Sequence, residues 1–262
     1  MPKVSHHPPG TFCWPELASP SPDEAKSFYA SLFGWTSRDD SVGADGTYTV
    51  FQQQGLDVAG LYELGPEQLR NGVPTHWLPY VAVASAEAAA RLAAASGATI
   101  LGSRFEVRGV GEMGWLRDPT GAVLGLWEPR GRIGSELSGE PGTLCWSELV
   151  TRDPSAAKTF YTTLFGWKMR EAPNLWMPYT EILHGGWPVG GMIGMTPDWG
   201  ATPPHWRIFI AVDDCDATLA RARSLGGSSD KRPVDIQGVG RFVTIEDPLG
   251  AYISIIAFDR TS

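Results

Sequence analysis

Two acid–imidazole pairs occupy matching places in this 262-residue chain. Glu16 lies in Trp14-Pro15-Glu16-Leu17 and Glu148 in Trp146-Ser147-Glu148-Leu149, while His76 and His205 stand in Thr75-His76-Trp77 and Pro204-His205-Trp206. A partly buried carboxylate near an imidazole can be tuned toward neutral pH, so Glu16 with His76, and Glu148 with His205, could act as general base and acid. Alternation along a strand puts Glu16 on the face of Trp14 and Glu148 on that of Trp146. A plainer reading is favoured for the two Glu. They accept hydrogen bonds from backbone or indole N–H groups and settle a strand end, since Trp-x-Glu-Leu recurs intact. For the two His, a capping role and a ligand contact weigh evenly.

The residues around them suit binding. Eleven Trp is a high count for this length. Trp14, Trp77, Trp127, Trp146 and Trp206 are candidates to wall a site for a flat aromatic or apolar metabolite, with ordinary core filling the alternative. Core filling is preferred for Trp35 and Trp167. Arg207 has Leu78 as its counterpart; it could pair with a ligand carboxylate or phenolate, or with Glu148 across a sheet. No nucleophile motif surrounds any Ser or Cys. The three Cys, at 13, 145 and 215, lack the spacing of a disulfide frame or zinc site and read as reduced thiols. Gly109-Val110-Gly111 and Gly238-Val239-Gly240 lack the flanking Lys of a phosphate loop and read as hairpin turns.

The net charge of −8 without a basic patch argues against nucleic acid as a partner. No apolar run approaches the roughly 18 residues of a membrane span, and the first ten residues lack the apolar core of a signal peptide, so a cytoplasmic location is expected.

These residues are positioned by a repeat. Pro9-Gly10-Thr11-Phe12-Cys13-Trp14, Phe28-Tyr29 and Leu32-Phe33-Gly34-Trp35 return as Pro141-Gly142-Thr143-Leu144-Cys145-Trp146, Phe160-Tyr161 and Leu164-Phe165-Gly166-Trp167. The offset is a constant 132 (16 to 148, 35 to 167), and it is 129 later in each copy (76 to 205). The chain is therefore read as two copies of one domain, 9–130 and 141–260, joined by a linker at 131–140. Each copy opens with a strand (Thr11 to Leu17 in the first). A helix follows from Asp23 to Phe33, whose apolar stripe ends at Gly34. Short strands come next, at Thr47 to Gln53 and Asp57 to Leu64. A second strand–helix–strands unit begins near His76 and includes a helix at Ala86 to Ser96. Its counterpart helix is expected at Ala217 to Leu225. Asp118-Pro119-Thr120-Gly121 and Asp247-Pro248-Leu249-Gly250 are turns by their chemistry.

Phe28-Tyr29 with Leu32-Phe33-Gly34-Trp35, the Asp-Pro-x-Gly turns and their second-copy partners resemble the vicinal oxygen chelate superfamily of glyoxalases, bleomycin-resistance proteins and extradiol dioxygenases. The resemblance covers almost the whole chain, and is nearest to a tandem branch that includes a mycobacterial antigen and proteins of antibiotic gene clusters. It implies an α+β fold of tandem domains, each made of two βαβββ units whose sheets curl into a cup. The metal enzymes of the family carry His, Gln or Glu on the first, fifth and last strands, where a divalent cation takes two neighbouring substrate oxygens. Carried over by position, those sites fall on Trp14, Leu78 and Gly125 in the first copy, and on Trp146, Arg207 and Ser254 in the second. None is a usual ligand.

The expectation is therefore a protein without metal or cofactor that binds a small aromatic or carbonyl-containing metabolite, as a monomer or homodimer. A metal-independent lyase, isomerase or cyclase using Glu16, His76, Glu148 and His205 is the alternative, and a metal-dependent glyoxalase or dioxygenase is a third reading.

Overall fold

In the computed structural model the described residues are 3–41, 46–107, 109–172 and 177–259, with the side chains of residues 103 and 104 excepted. The first half runs β1 (Phe12–Ser19), α1 (Pro22–Phe33), β2 (Thr36–Ser41), β3 (Thr47–Gln53), β4 (Leu56–Glu63), a five-residue α2 (Pro66–Arg70), β5 (His76–Ala82), α3 (Ala86–Ala95), β6 (Thr99–Val107), β7 (Gly111–Arg117) and β8 (Val123–Pro129). The second half repeats this as β9 (Leu144–Thr151), α4 (Pro154–Phe165), β10 (Lys168–Glu171), β11 (Tyr179–His184), β12 (Trp187–Gly194), β13 (His205–Ala211), α5 (Cys215–Ser224), β14 (Val234–Ile236), β15 (Gly240–Glu246) and β16 (Tyr252–Phe258).

The helices obey their local chemistry. Gly34 and Gly166 end α1 and α4 in the left-handed region, at φ 76° and 68°, where a side chain would be strained. Asp153 caps α4 by accepting from the Ala156 N–H. The helix expected from Ala217 starts two residues earlier, at Cys215, because the Asp214 carboxylate takes the Ala217 N–H as its N-cap. The loop after Gly65 holds α2, stabilised by Pro66 at its first position and by the Gln68 side chain accepting from the Gly65 N–H. Among the described residues no helix is long and apolar enough to cross a membrane.

Each half forms one eight-stranded sheet, ordered β2-β3-β4-β1-β5-β8-β7-β6 and β10-β11-β12-β9-β13-β16-β15-β14. The paired central strands, β1 with β5 and β9 with β13, join the two βαβββ units of each half edge to edge. One sheet face carries the helices; the other forms the cup.

The helix layers of the two halves meet, and each helix packs both on its own sheet and against the other half. Phe28, Tyr29, Leu32 and Trp35 around α1 share a core with Ile208, Cys215, Leu219, Val243 and Ile253 of the second half. Phe160, Tyr161 and Trp167 around α4 share one with Val81, Ala93, Leu116 and Leu124 of the first. Burying a ring of this size removes roughly 150–250 Å² from water, on the order of 4–6 kcal/mol of gross hydrophobic stabilisation. Hydrogen bonds fix this contact. Tyr29 Oη donates to Asp247 Oδ2 (2.8 Å) and accepts from Trp77 Nε1 (2.8 Å), and Trp35 Nε1 donates to the Gly142 carbonyl (2.8 Å). The mirror set is Tyr161 to Asp118 (2.8 Å), Trp206 to Tyr161 (2.9 Å) and Trp167 to the Gly10 carbonyl (2.7 Å).

This packing corrects one expectation. Trp77 and Trp206, candidates for the cup wall with core filling as the alternative, are both buried on the helix side, in edge contact with Tyr29 and Tyr161. Successive strand residues point to opposite faces, so the neighbours of His76 and Leu78, and of His205 and Arg207, had to turn away from the cup.

The segment between the sheets is tied down. Ser135 Oγ donates to the Cys13 carbonyl (2.9 Å), Glu136 accepts from the Asp57 N–H (3.0 Å), and Leu137 is buried in the core.

Candidate functional site

The first cup is packed with aromatic rings. β1 places Trp14 and Glu16, β3 Tyr48, β5 Leu78 and Tyr80, β7 Met113 and Trp115, and β8 Trp127 on this face. Glu16 is 1% exposed. Tyr48 Oη donates to its Oε1 (2.7 Å) and Tyr80 Oη to its Oε2 (2.5 Å). Each phenol in turn accepts an indole N–H, Tyr48 from Trp14 (2.9 Å) and Tyr80 from Trp115 (2.7 Å). Burial pushes the Glu16 carboxyl up, opposed by the hydroxyls of Tyr80 and Tyr48. Burial, and then the Glu16 charge, holds both phenols well above the usual tyrosine range. Tyr62 on β4 is raised to about 12 by the same two causes.

His76 is not drawn into this network. Its Nδ1 pairs with the Pro74 carbonyl (2.8 Å), and burial lowers its pKa. Both Glu16 oxygens are taken by phenols, so the first acid–imidazole pair is not assembled by direct contact. Trp127 turns its N–H out of the cup, to the Arg132 carbonyl (3.0 Å).

The second cup uses the same frame with different fillings. Trp146 Nε1 donates to Tyr179 Oη (2.8 Å), repeating the Trp14–Tyr48 bond. Tyr179 is hydrogen-bonded to Glu148; its pKa is raised by burial first and then by the Glu148 charge. Arg207 stands opposite Glu148 in register, as Leu78 does opposite Glu16. Arg207 Nε donates to Glu148 Oε1 (2.8 Å), and Nη2 reaches the same oxygen. The guanidinium carbon lies 6.0 Å from the Trp199 ring centre and 5.6 Å from that of Phe209. Phe209 replaces Tyr80 opposite the cup Trp, and Thr244 with Ser254 replaces the paired Trp115 and Gly125. The Thr244 and Ser254 hydroxyls lie 2.9 Å apart. His205 Nδ1 pairs with the Pro203 carbonyl (2.9 Å), and its pKa is lowered chiefly by burial.

Tyr48, Tyr80 and Tyr179 belong to the candidate site and are not among the residues singled out from the sequence. The spacing of 131 between Tyr48 and Tyr179, shared by Val58-Ala59-Gly60 and Val189-Gly190-Gly191, could have found two of them.

The donor set does not fit a divalent cation. Trp14 and Trp146 hold the first-strand positions, and an indole N–H donates without a lone pair to coordinate. The buried carboxylate of each cup is already engaged, Glu16 by two phenols and Glu148 by the Arg207 guanidinium and the Tyr179 phenol. Among the described residues no three His, Cys, Asp or Glu converge. Two surface concavities, of about 370 and 580 Å³, lie outside the cups. The first is lined by Arg38, Arg132, Asp57 and Glu136, whose charges neutralise one another, and the second runs between α1 and α5.

A family model described as the glyoxalase/bleomycin resistance protein/dioxygenase superfamily matches residues 12–126 and 143–255. The chain is 37% identical over 260 residues to "Putative glyoxylase CFP32" of Mycobacterium tuberculosis, covering 98% of each. It is 35% identical over 262 residues to the anthracycline biosynthesis protein DnrV of Streptomyces peucetius, covering 95% of this chain and 93% of that one. Among solved structures, the Mn(II)-bound glyoxalase from Novosphingobium aromaticivorans superposes with a TM-score of 0.64 at 15% identity, over 95% of this chain and 82% of that one.

Proposed function

The chain belongs to the glyoxalase/bleomycin resistance protein/dioxygenase superfamily, and on that premise we propose that it binds a small aromatic or carbonyl-containing metabolite without a metal ion. The observation that carries this reading is the duplicated Trp at the first-strand position. In each half its N–H is committed to a tyrosine, Tyr48 or Tyr179, and its ring supplies a flat wall. A relative named for anthracycline biosynthesis agrees with an aromatic ligand. The cores shared between the two halves support a monomer, since the helices of each half already find a partner within the chain. Free, buried Cys13 and Cys215 support a reducing, cytoplasmic setting.

Mass spectrometry of small molecules that copurify, before and after exhaustive dialysis against a chelator, tests the reading. Ligand retention unchanged by chelation is expected. Retention lost with the metal and restored by Mn²⁺ or Fe²⁺ would overturn it.

Turnover is a second reading, favoured by one observation: Glu148 lies between the Arg207 guanidinium and the Tyr179 phenol, an arrangement able to hold and move a proton. Conversion of the copurifying ligand by the wild type, lost in Glu148→Gln while binding persists, would establish it.

A further inference from the structure

Resting on the metabolite-binding reading, we infer that the second cup is the ligand site, and that it takes a planar aromatic carboxylate read by Arg207.

The two cups share a frame but not a filling. In the first, Trp14 and Leu78 are buried, and Glu16 is closed off by two phenols and two indoles. In the second, their counterparts Trp146 and Arg207 stay partly exposed, while Tyr179 is partly exposed as Tyr48 is. The place of the Trp115 indole is taken by Thr244, a far smaller side chain. The rings of Phe209 and Phe242, whose centres lie 5.8 Å apart, and the Thr244 and Ser254 hydroxyls line this part of the cup face.

Arg207 supplies the specificity. A guanidinium has five N–H donors in a fixed fork. Nε and Nη2 donate to one oxygen of Glu148, and Nη1 donates no hydrogen bond among the described residues. The edge formed by Nη1 and the remaining Nη2 proton is the parallel pair that a carboxylate accepts. Trp199 and Phe209 flank the cation and keep it poorly hydrated. Glu148 already offsets its charge, so the preference for an acid over an isosteric amide is directional and modest, about tenfold.

Titration of the full chain with 2-naphthoate and 2-naphthamide, followed by calorimetry, tests this. The wild type is expected to bind the acid about tenfold more tightly than the amide. Arg207→Leu and Arg207→Leu/Glu148→Gln should erase the preference. The double variant leaves no orphaned buried charge, and melting curves confirm that it folds. Thr244→Trp, which restores the residue of the first cup, should abolish binding of both probes. A preference that survives in the folded double variant, or equal affinities in the wild type, would sink the carboxylate assignment. Undiminished binding in Thr244→Trp would sink the choice of cup. Binding of neither probe to the wild type would sink this inference, while the metabolite-binding reading stands or falls on the copurification experiment.

Discussion

Tyr29 Oη lies 2.8 Å from Asp247 Oδ2, across 218 residues of chain, and Tyr161 makes the same bond to Asp118. Each aspartate closes its own Asp-Pro-x-Gly turn with Oδ1, by accepting backbone N–H groups, and reaches the helix of the other half with Oδ2. One carboxylate thus couples a local turn to the contact between halves. Tyr29→Phe leaves a buried carboxylate oxygen and the Trp77 N–H without their partner. An unmade buried bond of this kind costs about 1–3 kcal/mol. Urea unfolding should show a loss of that size for Tyr29→Phe and for Tyr161→Phe.

Glu16 makes stability depend on pH in a definite direction. Its folded-state pKa is raised, chiefly by burial. The folded state therefore keeps a proton that the unfolded chain has released, and the unfolding free energy falls as pH rises between the two values. The contribution is fully present below the ordinary carboxylate pKa of about 4.3 and is lost as pH passes through the raised value. Glu16→Gln cannot ionise. Unfolding titrations from pH 4 to pH 8 should show the wild type losing stability relative to Glu16→Gln as pH rises; a wild type that gains stability relative to Glu16→Gln over that range would contradict the buried-acid picture.

What could be read in the sequence was whatever both copies repeat. The constant offset from Glu16 to Glu148 gave the tandem fold, and counting back from Phe28-Tyr29 put Trp14 and Trp146 on the cup face, where the Tyr48 and Tyr179 bonds place them. Arg207 pairing with Glu148 was one of two readings, and the register sets them directly opposite. Two things escaped. Tyr80 was hidden because the copies diverge there, to Phe209, and a lone Tyr in an apolar strand looks like core. The contacts of α1 and α4 with the opposite half join residues far apart in the chain, 218 positions for Tyr29 and Asp247 and 43 for Tyr161 and Asp118, and no local pattern encodes that.

The placement of Trp77 and Trp206 separates core from site. Each donates its N–H to the tyrosine that holds the opposite half, away from the cup. Trp77→Phe and Trp206→Phe keep an aromatic ring but lose that bond, a cost of about 1 kcal/mol or more. Both should lower the urea midpoint and leave affinity for any cup ligand unchanged. A loss of affinity without a loss of stability would return these two indoles to the site.

Gly60 and Gly191 give the matching test for the cups themselves. Each stands beside the strand residue that carries the cup carboxylate, Gly60 opposite Glu16 and Gly191 opposite Glu148. A Cβ at Gly60 would lie 2.0 Å from Tyr48 Oη and 2.7 Å from Trp14 Nε1; at Gly191 it would lie 1.8 Å from Tyr179 Oη. Neither position needs a left-handed backbone, so the effect of alanine is steric: the phenol must leave its carboxylate. In the first cup that strips a buried Glu16 of one of its two donors in a packed interior, and overpacking adds about 1–3 kcal/mol. In the second, Glu148 keeps Arg207, so the fold suffers less while the site changes shape. Gly60→Ala should therefore depress stability and spare ligand affinity, and Gly191→Ala should weaken binding at smaller cost to stability. The reverse pattern, measured by calorimetric titration alongside thermal melts, would show that the first cup is the working one.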